Sequence, residues 1–93
     1  MDGLTEGRIV HYVLDEGPSK GEHRPAVVVK VCRDEAGAPP GNGCCNLQVL
    51  TDGDGTNGND MLPRLLWQTS VLYDAPSTSS GGAPGTWHWI EKA

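Results

Sequence analysis

Apolar and polar residues alternate in short runs along this chain, and no run keeps a helical period for long. In residues 7–14 (GRIVHYVL), Ile9, His11 and Val13 fall on one face of an extended segment, and Arg8, Val10, Tyr12 and Leu14 on the other. Residues 25–33 (PAVVVKVCR) form a near-continuous valine run, with Val27, Val29 and Val31 on one face and Val28 on the other. Such a run predicts a central strand with both faces partly covered. Residues 44–51 (CCNLQVLT) alternate again, Cys45, Leu47 and Val49 pointing inward and Asn46 and Gln48 outward. In residues 66–73 (LWQTSVLY), Trp67, Thr69, Val71 and Tyr73 stand against Gln68, Ser70 and Leu72. A short aromatic strand is predicted over residues 86–91 (TWHWIE).

The segments between these runs read as turns and loops. Residues 15–21 (DEGPSKG), 36–43 (AGAPPGNG), 52–60 (DGDGTNGND) and 76–85 (PSTSSGGAPG) are rich in the residues that favour turns. Residues 61–66 (MLPRLL) suit a short helical turn whose length Pro63 limits. The pattern predicts one all-β domain over residues 1–93: a small five-stranded SH3-like or OB-like barrel, or a bent antiparallel sheet, with long Gly/Pro-rich loops.

Composition narrows this picture. With 93 residues, 37% of them apolar and none of them Phe, the chain can build only a modest core, and association with further copies would compensate. The net charge of −5, with seven Lys and Arg scattered among twelve acids, argues against binding duplex nucleic acid, which depends on neutralised phosphates. It does not argue against a small nucleotide, whose phosphate one or two arginines can hold. No apolar stretch approaches the ~20 residues that span a bilayer, so no membrane association is expected. The first residues, MDGLTE, lack the basic and apolar regions of a secretion signal. Three cysteines, two of them adjacent, do not make a disulfide framework and suit a reducing cytoplasm.

Motifs that would carry chemistry are weak. Asp52, Asp54 and Thr56 alternate as calcium-loop ligands do, but Asn57 stands where that loop needs Gly, and Pro63 where it needs a bidentate Glu. Cys32, Cys44, Cys45, His11, His23 and His88 are zinc-ligand types, yet they lack the paired Cys-x2–4-Cys spacing of structural zinc. Gly53, Gly55 and Gly58 match G-x-G-x-x-G by letter only, in an acidic loop with no βαβ context. No nucleophile elbow, phosphate loop or paired-carboxylate signature is present. The expectation is therefore a non-enzymatic protein without metal or cofactor. The unusual feature is Trp87-His88-Trp89: either core, with Trp67 packed alongside, or a stacking platform for a base with His88 adding a hydrogen bond.

The phrases GRIVHYVL, HRPAVVVKV, NLQVLTDG, LWQTSVLY and PGTWHWIE resemble a set of small proteins carried by tailed bacteriophages and prophages. The resemblance covers most of the chain and brings no settled catalytic residues with it. It implies a bacterial host cytoplasm during infection, or a virion. In that setting two functions are expected. The first is a counter-defence binder: a homo-oligomer that sequesters a nucleotide immune signal in a pocket between protomers. There Tyr12, Trp67, Trp87 and Trp89 would stack the base, and Arg8, Arg24 and Arg64 would hold phosphate. His11, His88, Asn59 and Asp60 would read base edges or ribose hydroxyls. The second is a virion component, such as a minor capsid, head–tail or tail protein, with protein partners and no pocket.

Overall fold

The structure is a computed structural model, and it describes residues 3–38, 41–53, 59–75 and 82–90. It is all-β. Five strands, β1 (Ile9–Val13), β2 (His23–Val31), β3 (Cys45–Leu50), β4 (Leu65–Val71) and β5 (Trp87–His88), form one antiparallel sheet in the order β4-β3-β2-β1-β5. The first four strands form a meander and the fifth returns to lie beside the first, giving the bent antiparallel sheet that the pattern predicts. The valine-rich β2 is the central strand, as its composition predicts. No helix long and apolar enough to cross a membrane occurs among the described residues.

Two register shifts bend the sheet. Between β2 and β3, Val28 pairs with Leu47 but Lys30 pairs with Asn46, so β2 carries one extra residue. Val29 is turned out and is 46% exposed, whereas Val31 is turned in and fully buried. Val31 thus joins Val28, not Val27 and Val29 as strict alternation predicts. An extra residue in one strand inverts the alternation beyond it. Between β3 and β4 the extra residue lies on β4, where Ser70 takes a positive φ of 52° and donates its backbone N–H to Asn46 Oδ1. Val71 therefore faces the core beside Cys45, while Trp67, which alternation places on the same side, faces outward and is 48% exposed. Trp67 is not packed alongside Trp87 in the core.

The inner face carries Val10, Tyr12, Ala26, Val28, Val31, Cys45, Leu47, Val49, Val71 and Trp87, closed over by Leu4, Leu14 and Leu62. Past β4, Tyr73 makes a parallel bridge to Trp87. The Trp87 backbone N–H donates to the Leu72 carbonyl, and the Asp74 N–H to the Trp87 carbonyl. These bonds tie the chain just beyond one edge strand to the other edge strand.

Residues 61–66 form no helical turn. Met61 has a positive φ of 53°, Leu62 turns into the core and β4 starts at Leu65. Proline disfavours helical conformation in the residue before it, here Leu62. The last strand is only two residues long. The Glu91 end predicted for it, residues 54–58 of the acidic loop and residues 76–81 of the final loop lie outside the described residues.

Candidate functional site

Three strands deliver one histidine each to the same place on the outer face of the sheet. Residues directly opposite each other in an antiparallel pair share a face. His11 on β1 lies opposite His88 on β5, and Val13, two positions along from His11, lies opposite His23 on β2. All three imidazoles therefore stand on the side away from the core. Ring centroids are 5.8 Å apart for His11 and His88, 4.5 Å for His23 and His88, and 6.1 Å for His11 and His23. One ring nitrogen from each lies within 4.8 Å of the other two.

The cluster is partly roofed. Gly82, with φ of +102°, passes over Val13 and His88, and a Cβ there would stand 3.3 Å from Val13 Cγ2 and 3.6 Å from His88 Nδ1. His88 is buried as a result, while His11 and His23 stay partly open to solvent. A residue with a side chain at position 82 would meet both the backbone strain and the packed ring.

The remaining predicted site residues do not converge. Tyr12 and Trp87 are buried in the core, so neither presents a ring face to a ligand. Burial, reinforced by Asp15, pushes the Tyr12 phenol above its ordinary range. Trp87 packs edge to face against both Tyr73 and Trp89, at 5.0 and 4.9 Å. Arg8 lies over the Trp89 ring at 5.0 Å, a cation–π contact at the surface. Trp67 stands on the outer face of β4, and Arg64 is exposed just before that strand.

Arg24 and Asp60 hold each other. Arg24 donates from Nε to Asp60 Oδ2 at 2.8 Å and from Nη2 to Oδ1 at 2.6 Å, a bidentate pair. Asp60 is fully buried and also accepts the Asp52 backbone N–H at 2.7 Å. The Arg24 guanidinium, helped by that backbone donor, holds the Asp60 carboxyl well below the usual carboxylate range. Arg24 is thus committed within the fold instead of offering itself to phosphate. Asn59 donates from Nδ2 to Asp52 Oδ2, in the same loop closure.

His23, weighed only as a zinc-ligand type and set aside on spacing, is the member of the cluster missing from the expected binding set. Zinc-ligand spacing rules look for neighbours in sequence, whereas these ligands are neighbours across a sheet. His11 and His88 lie on predicted strands, but the valine-rich strand was predicted from Pro25, and only the structure extends it back to His23.

A second surface runs across the outer face. Ile9 pairs with Val27, Val27 with Gln48 and Gln48 with Trp67, one row across four strands. Leu50 pairs with Leu65 in the same orientation. Ile9, Leu50, Leu65 and Trp67 are 50%, 41%, 61% and 48% exposed. The described residues enclose no ligand-sized cavity. Comparison with protein-family models, with curated proteins and with solved structures finds no match to this chain.

Proposed function

We propose that this chain is a non-enzymatic binding protein of phage origin. It associates with copies of itself through the outer sheet face and sequesters a small nucleotide between protomers in the bacterial host cytoplasm. The observation that carries the reading is the outer-face row Ile9, Val27, Gln48 and Trp67, apolar at every position but Gln48, with Leu50 and Leu65 beside it. An antiparallel sheet usually leaves its second face polar, and contiguous exposed apolar surface marks an interaction site. A protomer whose described residues enclose no cavity gains enclosure by pairing. Of the expected stacking and cationic groups, Trp67, Trp89, Arg8 and Arg64 stay near the surface and keep the binding role in this reading, whereas Tyr12, Trp87 and Arg24 lose it.

A second reading, a particle or assembly component, is favoured by the same apolar face together with the edge strand β4. The test is analytical ultracentrifugation followed by a thermal-shift screen against cyclic mono-, di- and trinucleotides and cyclic ADP-ribose isomers. A defined oligomer stabilised by one compound, recovered intact on denaturation, supports sequestration. An oligomer with a flat screen supports the assembly component, and a monomer with a flat screen removes both.

A further inference from the structure

We propose that His11, His23 and His88 form a binding site for one divalent transition-metal ion of the zinc class. Among the described residues the group consists of three imidazoles, the ligand type that suits zinc, copper and nickel ions, whereas magnesium and calcium take oxygen.

The spacing of the rings suits one small ion. The three ring nitrogens lie within 4.8 Å of one another. A tetrahedral zinc ion with bonds of about 2.0–2.1 Å sets its ligand nitrogens about 3.3 Å apart. Side-chain rotations that bring the most distant nitrogens up to about 1.5 Å closer complete the site. The backbone need not move, because the strand pairings that place the rings are already made: His11 opposite His88, and Val13 opposite His23.

Burial sets the character of the site. His88 is fully buried, with Gly82 passing over its Nδ1 side, so this member of the cluster is shielded from solvent. His11 and His23 are only partly buried, which gives ions an entry path, and three protein ligands leave a tetrahedral ion one further position to fill. Three protein ligands plus one exchangeable position is the arrangement of open zinc sites, unlike the four-ligand closed sites that serve structure alone. The row of apolar side chains on the same face begins at Ile9, two residues from His11, so a bound ligand would meet both.

The competing soft ligands are Cys32 and Cys44, whose sulfurs lie 2.6 Å apart elsewhere in the fold. They supply two ligands, not three, and the test separates them from the histidines.

The experiment uses the untagged 93-residue chain, stripped with EDTA, reduced, and titrated calorimetrically with zinc sulfate. The expected result is one zinc per chain, with magnesium giving no heat. His11→Ala and His23→Ala, both at half-exposed positions, should each weaken zinc binding about a hundredfold or more while circular dichroism stays unchanged. The Cys32→Ser/Cys44→Ser double variant should bind as the parent does. Cobalt(II) should give visible absorption bands that both histidine variants lose. No zinc uptake by the parent overturns the proposal. So does uptake that the histidine variants retain or that the cysteine variant abolishes.

Discussion

Trp87 donates its indole N–H to the carbonyl of Gly43 at 2.7 Å, joining the last strand to a turn 44 residues earlier in the chain. The bond satisfies a buried polar group that would otherwise be costly, and it seats the largest core side chain. Gly43 is required at that turn: its φ is +72°, and a Cβ would fall 2.5 Å from the Cβ of Tyr73 and 3.0 Å from Trp87 Cζ2.

Trp87→Ala should therefore cost about 3–5 kcal/mol of stability, which for a domain of this size threatens folding itself. Gly43→Ala should cost on the order of 1–3 kcal/mol through backbone strain, and more if Tyr73 cannot shift. Urea unfolding followed by circular dichroism measures both. A Trp87→Ala protein as stable as the parent would remove Trp87 from the core.

Trp67 behaves oppositely. Half exposed on the outer face, it should tolerate Trp67→Ala with a stability change of about 0.5 kcal/mol or less. Leu65→Glu should leave the monomer folded and abolish the oligomer. Sedimentation of the two variants against the parent reads the outcome, and unchanged association would clear this face of an interface role.

The Arg24–Asp60 pair predicts an acid limb. The Asp60 carboxyl titrates in the folded protein far below its unfolded value of about 3.9, chiefly through Arg24. Its contribution is thus fully present above the unfolded pKa and is lost as pH falls below it. Glu6, which accepts from Arg33 and from the Val31 N–H, is lowered to about 2 by those bonds and titrates in the same direction. Stability should fall steadily from about pH 4 downward. Asp60→Asn should flatten that limb and lower neutral-pH stability by about 1–3 kcal/mol, because it removes the carboxylate from Arg24 while the contacts with the Glu22 carboxylate and the His23 carbonyl remain. Chemical denaturation at a series of pH values tests both points.

Cys32 and Cys44 face each other across a backbone hydrogen bond from the Cys32 N–H to the Cys44 carbonyl. Diamide should take two electrons and two protons from the pair, forming one intramolecular disulfide and a mass loss of two hydrogens. Burial, aided by the neighbouring thiol, pushes Cys32 up to about 11. The reaction should accordingly speed up as pH rises from about 7 to about 9, since the thiolate is the nucleophile. Cys45, fully buried and pushed up to about 12 by burial, should stay reduced and resist alkylation until the protein unfolds. Mass spectrometry of the oxidised and alkylated chain reads the pairing; disulfide-linked dimers in its place would refute it.

Local pattern was enough to establish that the chain is all-β, that it has five strands and that the valine run is central. Those properties depend on β-branched content and a period of two, which are readable wherever a strand stays regular. The inward set Cys45, Leu47 and Val49 was legible for the same reason. Tertiary structure decided the effect of the two bulges, namely which way Val31 and Trp67 face. An extra residue in a strand leaves no compositional mark, yet it inverts every side chain beyond it. It also decided the histidine site. His11, His23 and His88 are far apart in sequence, and only the antiparallel pairing of β2, β1 and β5 brings their rings to one face. Strand order is a property of long-range contacts, and no local period encodes it.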